Sequence, residues 1–261
     1  MTHAGLNPIH SMTALDEYGQ TCTVRVASEV PLTLIVNNEE IVTLVTLGAF
    51  PEVLAMGYLR NQGLVKNLSE IKSVEVNWER GIVQIDTFKN FKTKKTNFLA
   101  TTTTCGQGAK LSTSKLPNLH FSEVKLKQSV IYAILQGLAS YSEIHRRTGG
   151  VHSCALCQNT DILAFVEDVG RHNAVDTLAG LMWLHHWSGP GKIFYTTGRL
   201  TSEMVMKVIH AEIPVLLSRS GVTQRSVEIA QQLGVILIAH AKEKHFLVFS
   251  GEKNIFFDAC P

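Results

Sequence analysis

Apolar and polar residues alternate between residues 21 and 47: Cys22, Val24 and Val26, then Leu32, Leu34 and Val36, then Ile41 and Val45. A period of two marks half-buried strands, and Pro31 and Asn37-Asn38 punctuate the run. The pattern predicts a short antiparallel meander with Cys22 as a small buried hydrophobe. After Pro51 the spacing lengthens: Val53, Leu54, Met56, Gly57 and Leu59 share a helical face, and Gly63 stops it. A helix over 52–61 follows. Ile71 to Trp78 and Ile82 to Thr87 read as two strands around the turn Glu79-Arg80-Gly81. Lys89, Lys92, Lys94 and Lys95 carry no apolar period and predict a solvated loop. Phe98 to Thr104 reads as a strand ending at Cys105-Gly106-Gln107-Gly108, and residues 110–117 read as a polar linker.

The second half changes character. Leu126 to Tyr141 predicts an amphipathic helix, and Gly149-Gly150 breaks the chain before a strand over Val151 to Cys157. Asn159-Thr160-Asp161 turns into a strand over Ile162 to Val166. Helix 172–187, strand 192–196, helix 202–212, strand 213–218, helix 223–233 and strand 235–240 then alternate, and Phe246 to Phe249 forms a last edge strand. Strands alternating with helices predict an α/β sheet covered on both faces. The expected division is a smaller α+β domain over 1–112 and an α/β domain over 113–261.

Composition adds limits. With 261 residues, 45% of them hydrophobic and 18% charged, the chain is long enough for one large or two modest domains with a real core. A formal net charge of +2 makes it no nucleic-acid protein, so any anion binding is local. Five cysteines form an odd set, the N-terminus lacks signal-peptide regions, and the apolar run 235–239 is too short to span a bilayer. The expectation is a cytoplasmic protein with free thiols and no membrane attachment.

Chemistry concentrates at two strand-to-helix junctions. The segment 167–176 holds three acids, a glycine, Arg171, His172 and Asn173, and residues 196–204 place Gly198-Arg199 before Ser202. Polar groups so dense are costly to dehydrate unless a ligand or a network satisfies them. Arginines beside helix N-termini suit a phosphate or carboxylate, so the two junctions read as walls of one anion pocket. The competing reading is a structural ion network of Glu167, Asp168, Arg171 and Arg199. Cys105, among glycines at a strand end, fits either an accessible nucleophile or an incidental surface thiol. Cys154 and Cys157 lie three apart on a predicted strand, where side chains face opposite ways, so they are expected to share neither a metal nor a disulfide.

The stretches Glu-Asp-Val-Gly-Arg-His-Asn-Ala-Val-Asp (167–176), Thr-Gly-Gly-Val-His (148–152), Thr-Gly-Arg-Leu-Thr-Ser-Glu-Met-Val (197–205) and Thr-Cys-Gly (104–106) resemble the formate dehydrogenase accessory protein family, of the FdhD/NarQ type. The resemblance runs from about residue 20 to the end. It implies a cytidine deaminase-like three-layer C-terminal domain, and a sulfurtransferase that takes persulfide sulfur from a cysteine desulfurase. The recipient it implies is the molybdenum cofactor in its bis(molybdopterin guanine dinucleotide) form, bound as a substrate and destined for apo-formate dehydrogenase. Cys105 matches the family's persulfide carrier, and His240, Ala241, Lys242, Glu243, Lys244 and His245 match its cofactor contact. Arg171, His172 and Arg199 join them as candidate anion contacts, and a homodimer is implied. Zinc is not expected, because the junctions lack the Cys-x-x-Cys of a deaminase. Two departures stand out: Gly108 replaces a second cysteine found in many members, and Glu243 and Lys244 differ from the usual loop. A non-catalytic cofactor-binding chaperone and a divergent zinc deaminase are the rival readings.

Overall fold

A computed structural model describes residues 3–88, 121 and 124–259. The predicted loop at Lys89 to Lys95, the strand Phe98 to Thr104, Cys105, Gly108, the linker 110–117 and Cys260 lie outside the described residues. In chain order the strands are β1 (Ile9–Leu15), β2 (Thr21–Ala27), β3 (Val30–Val36), β4 (Glu39–Thr46), β5 (Ile71–Asn77), β6 (Ile82–Thr87) and β7 (Leu126–Lys127). They continue as β8 (His152–Gln158), β9 (Asp161–Asp168), β10 (Ile193–Thr196), β11 (Val215–Ser218), β12 (Ile236–Lys242), β13 (His245–Ser250) and β14 (Ile255–Phe256). The helices are α1 (Pro51–Asn61), α2 (Gln128–Leu138), α3 (Glu143–Thr148), α4 (Arg171–Leu184), α5 (Ser202–His210) and α6 (Gln224–Leu233). The chain divides into two units: one from Met1–Lys110, Glu143–His152 and Glu167–Gly180, the other from Leu111–Ser142, Ser153–Val166 and Leu181–Pro261.

The first unit holds a four-stranded sheet in the order β4-β3-β6-β5 and a separate ribbon of β1 and β2. Asn37 and Asn38 both take positive φ, 48° and 67°, which gives β3 and β4 the tight turn expected of them. The meander over 21–47 needs correction at its first strand. β2 pairs with β1, Met12 facing Val24 and Ala14 facing Cys22, and Ser28 N–H extends that ladder to the Pro8 carbonyl. Cys22 is therefore half-buried in a two-stranded ribbon and not a core residue. α1 starts at Pro51, whose missing N–H costs nothing in a first turn. It is buried on almost every side, because α4 lies against its backbone. A Cβ on Gly57 would stand 1.7 Å from the Asp176 carbonyl oxygen, and one on Gly180 would stand 2.2 Å from that of Val53. Asn61 Nδ2 donates to Asp176 Oδ1 at 2.7 Å and Arg60 Nη1 to the Ala179 carbonyl at 2.9 Å, tying the same pair together.

The second unit holds a six-stranded sheet in the order β13-β12-β11-β10-β8-β9. β10, β11 and β12 are parallel, while β8 and β13 run antiparallel to their neighbours. Ala155, Tyr195, Leu217 and Ile238 on one face pack with Ile131 and Ile134 of α2. The crossovers through α5 and α6 put both helices on the other face, with α6 resting on β12 and β13 and against α5. The helix expected over 126–141 is shorter. Its first two residues form β7, paired with β14, and Asp258 caps the start of α2 by accepting from Ser129 N–H and Oγ at 2.9 and 2.8 Å.

Candidate functional site

Three parallel strands end on one side of the second unit, and the loops after them are knitted together. Beyond β10, Gly198 N–H donates to Thr196 Oγ1 and Leu200 N–H to the Gly221 carbonyl. Beyond β11, the buried Ser218 hydroxyl donates to the Gly198 carbonyl at 2.8 Å and accepts from Ser220 N–H at 2.9 Å. Arg219 N–H reaches the Thr196 carbonyl, and His240 N–H reaches that of Ser220. Short hydroxyl side chains at strand ends thus satisfy loop backbone that nothing else in a dry sheet edge would serve. Ligands of open α/β sheets bind at the carboxyl ends of such strands.

A cavity of about 560 Å³ opens there, lined by Arg219, His240, Lys242, Glu243, His245 and Leu247. The ladder between β12 and β13 shifts register between Ala239 and Lys242, a bulge at which His240 is exposed within β12. His240 and Glu243 both sit at positive φ, 54° and 55°, where side chains other than glycine are uncommon. The His240 ring leans on Phe249, centroids 6.2 Å apart, and lies about 3.4 Å from where a Cβ on Gly221 would be. The turn is held from beneath by Tyr132, whose hydroxyl donates to the Lys244 carbonyl at 3.0 Å. Lys242 Nζ and Glu243 Oε1 pair at 3.8 Å, both side chains well exposed. The result is a shelf with two cations, two imidazoles, one carboxylate and an exposed leucine. Such a surface attracts an anion and offers an apolar patch beside it.

The expected site residues are distributed unevenly over this geometry. His240, Lys242, Glu243 and His245 come together on the shelf. Ala241 is buried in the core beneath it, and Lys244 contributes its carbonyl to the Tyr132 bond. Arg219 and Leu247 belong to the shelf and were not expected. The signal for Arg219 was the Ser218-Arg219-Ser220-Gly221 run directly after a strand. Arg199 is exposed on the loop after β10, within the second unit. Arg171 and His172, both half-buried, open α4 in the first unit.

At that α4 start the acids serve the fold. Asp168 accepts from Thr46 Oγ1 at 2.5 Å, Leu47 N–H at 3.1 Å, Gly170 N–H at 2.9 Å and Asn173 Nδ2 at 2.9 Å. Burial pushes its carboxyl up, and those four donors pull it back. Glu167 caps α3 by accepting the N–H groups of Ile144 and His145, each at 3.0 Å. A carboxylate of the chain itself therefore meets the first free amide at this helix start, where a ligand anion was expected. Arg171 Nε is buried with no hydrogen-bond partner among the described residues.

Cys154 and Cys157 are fully buried on β8. Burial pushes the Cys157 thiol up to about 12, and Cys154 Sγ lies 3.4 Å from Thr196 Oγ1. A buried thiol so far from ionising is no nucleophile at neutral pH. Among the described residues, no three His, Cys, Asp or Glu side chains are grouped to hold a metal ion, and no helix is long and apolar enough to cross a membrane.

Comparison with known proteins follows the same outline. The sequence model of the FdhD/NarQ family matches residues 27–256. The sulfur carrier protein FdhD of Bacillus licheniformis is 28% identical over 238 residues, covering 89% of this chain and 90% of the relative. That of Listeria monocytogenes serotype 4b is 30% identical over 237 residues, covering 88% and 91%. A crystal structure from Desulfotalea psychrophila, described as a formate dehydrogenase accessory protein, superposes with a TM-score of 0.75 at 26% identity, covering 95% of this chain and 98% of that one.

Proposed function

Because the chain belongs to the FdhD/NarQ family, we propose that it is a sulfur carrier that moves persulfide sulfur from a cysteine desulfurase to the molybdenum cofactor. Cys105 is the carrier. Its thiolate attacks the outer sulfur of the desulfurase persulfide, one S–S bond forms as the other breaks, and the desulfurase thiolate leaves. Cys105 would then pass that outer sulfur to the reduced molybdenum of the bis(molybdopterin guanine dinucleotide) substrate: the S–S bond breaks, the substrate metal supplies the two electrons that make the sulfur a sulfido ligand, and Cys105 leaves as a thiolate. Apo-formate dehydrogenase receives the sulfurated cofactor. With glycine at 108, a single-thiol relay replaces any exchange between two cysteines. The work takes place in the cytoplasm, in a homodimer. The cysteine segment closes residues 1–112, and residues 113–261 form a cytidine deaminase-like domain that holds the cofactor. The helix–sheet–helix layering of the second unit supports that plan.

The observation that carries the reading is the basic shelf at the ends of β11 and β12. Arg219, Lys242 and His245 suit the phosphates of a guanine dinucleotide, and the residues 240–245 fall at the family's cofactor contact. Cys105→Ala tests it. After incubation with a desulfurase and cysteine, the wild type gains the mass of one sulfur atom on Cys105. The variant gains none, leaves formate dehydrogenase inactive in cells, and still binds GDP. A wild-type protein that never gains sulfur, yet binds the nucleotide, is a cofactor chaperone and not a carrier.

A further inference from the structure

Ahead of β1, residues 4–8 lie across the loop between β4 and α1. Ala4, Leu6 and Pro8 are half-buried while Gly5 and Asn7 are exposed, the alternation of an extended segment. From this strap we infer that residues 4–6 form a latch, read in sequence by a seat of Glu52, Trp78 and Gly48, that holds the start of α4 in order. Ala4 N–H donates to Oε1 of the buried Glu52 at 2.9 Å, and Trp78 Nε1–H donates to the Ala4 carbonyl. Leu6 N–H donates to the Gly48 carbonyl at 2.8 Å. Both backbone groups of one residue and the amide two positions on are thus bound, as when a peptide groove takes an extended chain.

The seat also selects side chains. A Cβ on Gly5 would stand 2.5 Å from the Ala49 carbonyl oxygen, and backbone cannot swing aside as a flexible side chain does, so only glycine fits. Leu6 Cδ1, Trp78 Cη2 and Val30 Cγ2 each lie 3.2 Å from where a Cβ on Gly48 would be. The leucine therefore closes an apolar notch over a second glycine, one held at a φ of 74°. Beneath the notch a chain of bonds leads to α4. Gly48 N–H donates to Thr46 Oγ1 at 3.3 Å, and Thr46 Oγ1 in turn to Asp168 Oδ2 at 2.5 Å. Asp168 also holds Leu47 N–H, Gly170 N–H and Asn173 Nδ2, and that amide donates to the Val45 carbonyl at 2.6 Å. The strap is the exposed end of this chain, with no side chain fully buried, so it opens at lower cost than the elements beneath it. Seated, it fixes the loop whose groups order Asp168. Released, it frees Gly48 to turn, and the start of α4 with Arg171 and His172 loses that support.

Hydrogen exchange on the full chain, on the chain lacking residues 2–7 and on Gly5→Ala is the test. Both alterations are expected to speed exchange at the Leu47 and Gly170 amides by about tenfold or more, as local opening becomes easier. Amides of α5 and α6, in the second unit, keep their wild-type rates and so verify the fold. A peptide of residues 3–8, added in excess, slows both amides of the shortened chain towards wild type, whereas the same peptide with alanine in place of its glycine does not. Gly5→Ala keeps the test decisive where the shortened chain does not fold. Wild-type rates at the two amides overturn the latch. So does an acceleration spread equally over β3 and β6, the mark of a strap that only stabilises the whole unit. Equal rescue by the two peptides, or rescue by neither, overturns the reading of sequence by the seat.

Discussion

At the scale of single residues, the two thiols on β8 fill space in the core. Cys154 and Cys157 share a strand with Ala155 and Leu156, all four fully buried, and each sulfur replaces a hydrocarbon group of similar size. Their inertness is checkable. Iodoacetamide at pH 7.5 leaves both unmodified in the native protein, and peptide mass mapping finds them alkylated only after denaturation. Rapid native labelling of Cys157 contradicts the burial that holds its pKa near 12. The opposite facing of the two sulfurs was readable beforehand, since side chains three apart on a strand point to opposite faces. The roles of Glu167 and Asp168 were not. Beside the local Gly170 and Asn173, their partners are Ile144, His145, Thr46 and Leu47, remote in sequence, and a dense polar motif looks the same whether a ligand or distant groups of the chain satisfy it.

Between elements, the contact of α1 with α4 tolerates no added atom. Gly57→Ala places a methyl group inside the Asp176 carbonyl, and two helices tied by Asn61 and Arg60 cannot part without losing those bonds. The expected destabilisation is about 3 kcal/mol or more, beyond ordinary overpacking; a urea midpoint within about 1 kcal/mol of wild type disproves the close approach. Acid acts elsewhere, on α2. Ser129 N–H, and then its hydroxyl, hold the Asp258 carboxyl below its ordinary value. A depressed acid adds stability above its unfolded value, near 3.9, and loses it as pH falls through the lower folded value. Hydrogen exchange at the Ser129 amide therefore accelerates below about pH 4 relative to helix-interior amides, and Asp258→Asn removes that acid dependence. α1 and the strands β5, β6 and β8 to β13 were legible because each carries its own period and its own turn residues. β1 was not, since Ile-His-Ser-Met-Thr-Ala-Leu has no clean alternation, and α3 was not, since its cap is supplied by Glu167 from 22 or more residues away.

Across the whole molecule, a formal charge of +2 on 261 residues generates little long-range field, so any attraction of an anion is confined to where basic groups converge. Residues 240–245, one strand of that convergence, were singled out by the family resemblance and not by any spacing of their own. The run Ser218-Arg219-Ser220-Gly221 marks Arg219 only as a strand-end residue, because its place near the bulge at His240 comes from the parallel pairing of β11 with β12. The origin of binding is testable through salt. Exposed charges are screened within about 10 Å at 0.1 M salt and about 3 Å at 1 M, so GDP affinity for the wild type falls several-fold between those conditions. Arg219→Ala weakens GDP at low salt and flattens the dependence, leaving the two proteins close together at 1 M. Arg199→Ala, which changes an exposed cation outside the shelf, keeps the wild-type slope. A wild-type affinity indifferent to salt assigns binding to the apolar floor of Leu247 and His240, and equal slopes for wild type and Arg219→Ala remove that guanidinium from the site.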